Sequence, residues 1–169
     1  MKTKICGVTT PADALMAAEE GADMIGLIFG RSPRRVDVTT ARDILRRLPH
    51  SVEAVGVFMD QPLDEVKSVL AATNLQIAQL HGSETREFAH ALGVKVIKSF
   101  TSFTDATLKQ LAGFDSYAYL LDVPKGENER TRIDLDWAVV AKKYGRIIAS
   151  GRLTPETAFE ACRKLRPWA

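Results

Sequence analysis

The stretch from Lys2 to Thr10, KTKICGVTT, changes over a few residues from the pattern of a strand to that of a helix start. Its centre, Lys4 to Val8, has the short and mostly apolar character of a buried strand. Thr10-Pro11 then offers a hydroxyl N-cap followed by proline at the first helical position. A cysteine at this junction, Cys6, is either a small core side chain or the reactive group of a site at the end of the strand.

The same alternation of strand and helix patterns continues along the chain. Helix starts are also predicted at Asp134 and Thr154, and helix ends at Gly21 and Gly93. The predicted strands are rich in Val and Ile and apolar on both faces, as parallel strands covered by helices are: Thr3–Val8, Met24–Phe29, Ala54–Met59, Ile77–Leu80, Lys95–Phe100, Tyr117–Asp122 and Arg146–Ser150. Such strand–helix units predict an α/β fold, either a doubly wound sheet or a (βα)8 barrel of the TIM type with about seven units present.

Composition excludes several classes of protein. The 169 residues suit one domain, residues 1–169, and 46% hydrophobic with 26% charged residues is the balance of a globular protein. A net charge of +2 gives no reason to expect a nucleic-acid partner, and no apolar run approaches the roughly 20 residues that span a membrane. Two cysteines without CxxC spacing argue against a disulfide framework or a zinc site, so we expect a reduced, cytoplasmic protein without a bound metal.

In both candidate folds the functional face lies at the carboxyl ends of the strands. A thiol near a cation or a helix N-terminus can serve as base or nucleophile, and a carboxyl group in a water-poor pocket can serve as general acid. The charged, thiol and imidazole side chains at or just past predicted strand ends are therefore the first to consider: Cys6, Arg34, Asp60, His81, Lys98 and Asp122.

Each of these candidates has a plainer interpretation. A lone histidine such as His81 is more often structural than catalytic, and the loop Ser32–Val36 is either a solvated turn or an anion-binding clamp.

The segment Ser150–Pro155 joins a strand to a helix N-terminus, where barrels often bind phosphate. Gly151 there permits close backbone approach, whereas Arg152 either adds charge or obstructs the site. Cys162 shares a helical stripe with small and apolar residues and is expected to be core filler.

The motifs are far more specific together than singly. KICGVT, GLIF followed by SPRRV, VGVF, QLHG, VIKSF, LLD and LTPE occur in one order along the chain. This series resembles the phosphoribosylanthranilate isomerase family, (βα)8-barrel enzymes of tryptophan biosynthesis, over essentially the whole chain. The resemblance implies a cofactor-free Amadori rearrangement of N-(5'-phosphoribosyl)anthranilate, a phosphorylated small molecule, to 1-(2-carboxyphenylamino)-1-deoxyribulose 5-phosphate.

The resemblance also implies roles for individual residues. Cys6 would be the general base that removes the C2' proton, and Asp122 the general acid that opens the ribose ring. Arg34 would sit against the anthranilate end of the substrate, while Gln79 and His81 would line the pocket. Gly151 and Arg152 would lie at the phosphate end.

The chain departs from the family's pattern where phosphate binds. The segment Val123–Arg130 keeps one glycine where the family has a glycine-rich loop, and Gly151-Arg152 replaces two glycines. Lys125, Arg130 or Arg152 would have to supply some of the lost contact with phosphate.

The sequence given ends where the family continues into an eighth strand and a further phosphate loop. We therefore expect unpaired edges on the first and seventh strands. The chain could remedy this by closing with fewer strands, by pairing the edges in a homodimer or by accepting a complementing chain. The alternative function is a truncated, catalytically weak or inactive barrel that binds an anion or a partner chain.

Overall fold

A computed structural model describes residues 1–123 and 132–169. Strands and helices alternate through these residues, as predicted. The strands are β1 (Lys4–Cys6), β2 (Met24–Ile28), β3 (Glu53–Phe58), β4 (Ile77–Leu80), β5 (Lys95–Phe100), β6 (Ala118–Leu121) and β7 (Ile147–Ala149). The helices are α1 (Pro11–Glu19), α2 (Val38–Arg47), α3 (Leu63–Thr73), α4 (Arg86–Ala91), α5 (Asp105–Phe114), α6 (Leu135–Ala141) and α7 (Pro155–Lys164), with a 3-10 turn at Lys142–Tyr144.

The helix boundaries follow the capping residues that the sequence offers. The side chain of Thr10 accepts a hydrogen bond from the backbone N–H of Asp13, and Pro11 occupies the first turn of α1. Asp134 caps α6 through two backbone N–H groups, and Thr154 forms a reciprocal capping box in α7. The glycines predicted to end helices, Gly21 and Gly93, follow α1 and α4 with positive φ.

Two compact units make up the chain. In the unit Lys2–Val96, strands β1 to β4 pair in parallel and in chain order, and the register sets Cys6 opposite Gly26. Its core includes the fully buried Met24, Leu27 and Phe58. Strand β1 differs from the others because the middle residue, Ile5, is 43% exposed.

The second unit comprises Met1 and Ile97–Ala169. Strands β5, β6 and β7 again pair in parallel and in chain order, around a core that includes Leu111, Tyr119 and Ile147. Among the described residues, neither unit reverses its strand order as a doubly wound sheet does, so the strand–helix repeat is of the barrel type. The assignment of residues 1–169 to one domain stays a prediction.

The prediction that β7 has an unpaired edge is wrong, because the last residues of the chain form backbone hydrogen bonds with this strand. The carbonyl oxygen of Ile147 accepts from the backbone N–H of Trp168 at 2.9 Å, and the N–H of Ala149 donates to the carbonyl oxygen of Ala169 at 2.9 Å. Arg146 supports this contact, with its guanidinium carbon 4.6 Å from the centre of the Tyr117 ring and 5.4 Å from that of Trp168.

Candidate active site

Cys6 is the last residue of β1, and the chain turns directly after it. The N–H groups of Gly7 and Val8 both donate to the carbonyl oxygen of Gly26, so the turn is anchored to β2. Gly26 also makes room for the thiol, since a Cβ on it would lie 2.8 Å from the Sγ of Cys6. Both the strand and its neighbour therefore fix the position of this thiol.

Arg34 reaches back from the loop after β2 to the end of β1. Its Nη1 donates to the carbonyl oxygen of Cys6 at 2.7 Å. The guanidinium lies over Gly7, where an added Cβ would meet three of its atoms at 2.7 to 2.8 Å. Gly7 also has φ of +83°, a conformation that other residues rarely adopt. The structure thus brings Arg34 and Cys6 together, as the sequence predicted for strand-end residues.

The return of this loop to β2 holds Arg34 in place. The N–H of Val36 donates to the carbonyl oxygen of Ile28 at 2.8 Å, and the Nε of Arg35 donates to that of Phe29 at 3.1 Å. Ser32 accepts from the backbone N–H of Arg34. The segment is therefore a braced turn that presents one arginine to Cys6.

Gln79 and His81 form a pair at the end of β4. Gln79 is 2% exposed, and its Nε2 lies 3.1 Å from the Nδ1 of His81. The amide nitrogen of Gln79 can donate to Nδ1 in the neutral tautomer that carries its proton on Nε2. The sequence placed both residues at this strand end, and the structure confirms that they interact.

The sequence analysis did not identify Glu84, which connects the loop after β3 to the loop after β4 by hydrogen bonds. Its carboxylate accepts from the N–H of Asp60 at 2.9 Å and from that of Gly82 at 3.0 Å, and the residue is 8% exposed. In return, Asp60 accepts from the N–H and the hydroxyl of Ser83. This exchange fixes the loop that follows His81. A glutamate in a polar loop gives no sign in the sequence of such a role.

Lys98 does not belong with the strand-end candidates. It lies inside β5, is 5% exposed, and its Nζ is 5.8 Å from the centre of the Phe114 ring. Phe114 is the last residue of α5, so the lysine is directed towards the helix layer. The expectation that it belongs to the functional edge is wrong, because the side-chain alternation of a strand turns this position to the other face.

Asp122 follows β6 and lies beside Gly151, which follows β7 by two residues. The carboxylate oxygen Oδ1 accepts from the N–H of Val123 at 2.8 Å. A Cβ on Gly151 would come within 2.7 Å of that same oxygen, and Gly151 has φ of +96°. Only a residue without a side chain leaves the carboxylate in this position.

The Gly151 region also opens into a cavity. A space of about 230 Å³ is lined by residues that include Arg132, Gly151, Thr157 and Lys164. The Asp136 carboxylate, 2.7 Å from Lys164, raises the pKa of that ammonium and keeps it charged. Arg152 is exposed with φ of +48°. The structure brings Asp122 and Gly151 together and sets two cations at this cavity, whereas Lys125 and Arg130 lie outside the described residues.

Cys162, expected in the core, is only half-buried. Its Sγ lies 3.4 Å from the Sδ of Met1. Its neighbours on the predicted stripe, Ala161 and Leu165, are buried. The stripe is thus the buried face of α7, with the cysteine at its margin.

No helix of the described part of the chain has the length and apolar character needed to cross a membrane.

The comparisons with known proteins agree with one another. A family model described as N-(5'phosphoribosyl)anthranilate (PRA) isomerase matches residues 3–168. An N-(5'-phosphoribosyl)anthranilate isomerase of Geotalea daltonii is 41% identical over 172 residues, which cover 99% of this chain and 83% of that protein. A crystal structure of the isomerase from Thermus thermophilus is 37% identical with a TM-score of 0.89, covering 100% of this chain and 85% of that one. A second isomerase structure, in complex with reduced 1-(o-carboxyphenylamino)-1-deoxyribulose 5-phosphate, is 29% identical with a TM-score of 0.88, covering 100% of this chain and 84% of the other.

Fold and comparisons together define the class first. The chain has the (βα)8 TIM-barrel fold, of which residues 1–123 and 132–169 form seven strand–helix units, and it is an isomerase. More narrowly, it belongs to the N-(5'-phosphoribosyl)anthranilate isomerase family of tryptophan biosynthesis.

Proposed function

We propose that this chain converts N-(5'-phosphoribosyl)anthranilate to 1-(2-carboxyphenylamino)-1-deoxyribulose 5-phosphate, with Cys6 as general base and Asp122 as general acid. Family membership over residues 3–168 is the observation that carries the proposal. The local geometry of both residues supports it, since each follows or ends a strand and faces a glycine that leaves room for its functional group.

The proposed chemistry consists of proton transfers. Asp122 donates a proton to the ribose ring oxygen, the C1'–oxygen bond breaks, and the nitrogen lone pair forms a protonated Schiff base. Cys6 as thiolate then removes the C2' proton, and the electrons move to give an enolamine that tautomerises to the ketone. No electrons are gained or lost overall, so the rearrangement needs two groups with opposite protonation states and no redox partner.

Arg34 is proposed to hold the anthranilate carboxylate. Its Nη1 is already committed to the carbonyl oxygen of Cys6, which would tie the aromatic end of the substrate to the base. A planar guanidinium can bind a carboxylate through its other N–H groups. Gln79 and His81 are proposed to line the same pocket, where their amide and imidazole groups would form hydrogen bonds with the substrate.

The phosphate is proposed to bind near Gly151 and Arg152. The cavity beside Gly151 supports this placement, because its charged lining consists of two cations, Arg132 and Lys164, and one anion, Glu160. The N-terminus of α7, capped by Thr154, begins at the same loop and favours an anion.

The test is a steady-state assay of the loss of phosphoribosylanthranilate fluorescence, with substrate generated in place from anthranilate. We expect turnover in the parent chain and in Cys162→Ala, which removes the other thiol. Asp122→Asn keeps the shape of the acid without its acidity and is expected to lower kcat by about 100-fold or more. A folded parent chain without turnover would contradict the proposal and favour a barrel that only binds an anion or another chain.

We also propose a cytoplasmic location and a partner, either a second copy or a complementing chain. The exposed Ile5 in the middle of β1 supports a partner, since it places an apolar side chain at the surface of a short strand. Light scattering after size exclusion tests the homodimer. A mass of one chain at micromolar concentration would contradict it, and an Ile5→Lys variant is expected to dissociate it.

A further inference from the structure

Lys4 lies two residues before Cys6 on β1, so their side chains leave the strand on the same face. Across the ladder Lys4 is opposite Met24 and Cys6 is opposite Gly26. The Nζ atom of Lys4 is buried. A buried ammonium on the face of a proposed catalytic thiol has no role in the reaction described so far.

Gly26 shows how close the two functional groups come. A Cβ on this glycine would lie 2.8 Å from the Sγ of Cys6 and 3.0 Å from the Nζ of Lys4. Two atoms that are both so near one point lie within about 6 Å of each other, the range in which a charge alters a neighbour's proton equilibrium. Because the ammonium is buried, solvent screens this interaction less than it would at the surface.

We propose that Lys4 is a positioning residue whose ammonium stabilises the thiolate of Cys6, and that Gly26 supplies the space this contact requires. An unperturbed thiol is mostly protonated at neutral pH, whereas a base must begin the reaction without its proton. The catalytic meaning of this inference rests on the proposed function; the interaction between the two charges does not.

Arg34 is a second cation that faces Cys6. Its hydrogen bond goes to the main-chain carbonyl oxygen of Cys6, not to the sulfur. The facing residues of β2, Met24 and Gly26, carry no charge. Replacing Lys4 leaves the Arg34 contact in place, so the lysine's effect can be measured separately.

The first experiment uses the unaltered chain, which has two cysteines. Iodoacetamide alkylation is followed from pH 5 to pH 10 at each cysteine by peptide mass spectrometry. We expect the rate at Cys6 to reach half its maximum at a lower pH than the rate at Cys162. An equal or higher midpoint at Cys6 would overturn the proposal.

The second experiment assigns the effect to Lys4, in a Cys162→Ala background that leaves Cys6 as the single thiol. Lys4→Met is expected to slow alkylation about tenfold at pH 7 and to move its midpoint upward. Lys4→Arg, which keeps the charge, should stay near the parent. Lys67→Met is the matched control, because Lys67 is exposed on α3. Profiles of Lys4→Met and the parent that coincide would overturn the proposal.

Alkylation needs no turnover, so the two proposals can fail separately. Alkylation that depends on Lys4 in a chain without isomerase activity would contradict the proposed function alone. Turnover with alkylation that does not depend on Lys4 would contradict this inference alone. In an active chain, Lys4→Met is also expected to shift the acidic limb of the kcat/KM profile to higher pH.

Discussion

Two cationic side chains lie near Cys6, whereas a backbone N–H and a glycine lie next to Asp122. Lys4 approaches the thiol along β1, and Arg34 reaches the carbonyl oxygen of Cys6 from the loop after β2. The Asp122 carboxylate instead accepts from the N–H of the next residue and lies against Gly151. The comparison teaches that charge acts at the base end and that the missing side chain of Gly151 gives room at the acid end. Glycine-to-alanine substitutions test the space at both ends, and replacing Lys4 tests the charge.

Among the glycine substitutions, the largest effect is expected at the acid end, from Gly151→Ala. The new Cβ would sit 2.7 Å from the Oδ1 of Asp122, and the φ of +96° adds strain. Displacing a reacting group by about 1 Å can cost on the order of 100-fold in rate, so kcat/KM should fall by about that factor. The assay is steady-state turnover.

Gly113→Ala is the control for that change. Gly113 lies within α5 and has open space around its missing Cβ, so activity should equal that of the parent. Turnover of Gly151→Ala within threefold of the parent would show that the acid end tolerates the methyl group.

At the base end, Gly7→Ala should disturb Arg34 and raise KM about tenfold, because a tenfold change corresponds to losing one modest contact. The change also forces alanine into φ of +83°, at a cost of about 1 kcal/mol in the free energy of unfolding. Both quantities are measured, by kinetics and by urea denaturation.

Gly21→Ala separates these two effects. Gly21 has φ of +88° and nothing within 4 Å of its missing Cβ, so it shares the strain without the clash. Equal KM values for Gly7→Ala and Gly21→Ala would contradict a role of Arg34 in binding.

Glu84→Ala is expected to lower the free energy of unfolding by about 2 kcal/mol, because two backbone N–H groups lose their acceptor. Urea denaturation measures the change. Glu19→Ala on the exposed face of α1 is the control and should differ little from the parent. A loss no larger than that of the control would mean that water replaces the carboxylate without cost.

The smallest effect concerns Asp37, the N-cap of α2. The backbone N–H of Thr40 lowers the pKa of this carboxyl below its ordinary 3.8. A depressed pKa in the folded state adds stability above the ordinary value, and this stability disappears as pH falls through 3.8 towards the folded-state pKa. The difference in Tm between the parent and Asp37→Asn should therefore shrink on acidification below that pH. A constant difference from pH 6 to pH 3 would contradict this account of the cap.

The predictions from the sequence succeeded where a local rule decides the structure. Thr10, Asp134 and Thr154 cap helices because their side chains bond to backbone groups two or three residues away. Strand positions followed from apolar runs, and β4 and β5 match their predicted bounds. Cys6 and Asp122 fall at strand ends for the same reason.

Features that depend on distant contacts escaped prediction. The role of Glu84 arises from loops 24 residues apart, and the bonds of Trp168 and Ala169 to β7 need the folded chain. The prediction for Lys98 assigned it to the functional edge, whereas its side chain lies on the face towards α5. In an apolar run that is buried on both sides, the sequence does not show which face a given residue occupies. Lys4 also has no feature in the sequence that marks it, because its approach to the thiol depends on the bare backbone of Gly26 on the neighbouring strand.

The most direct test of the central claim, that Cys6 performs chemistry and does not merely fill space, is the kcat of Cys6→Ala. It is measured on samples whose affinity for reduced 1-(o-carboxyphenylamino)-1-deoxyribulose 5-phosphate is first shown by calorimetry to match that of the parent. Removing a general base typically costs about 100- to 10,000-fold, so we predict a loss of about 1,000-fold with binding unchanged. A kcat within tenfold of the parent would contradict the assignment of Cys6 as the base.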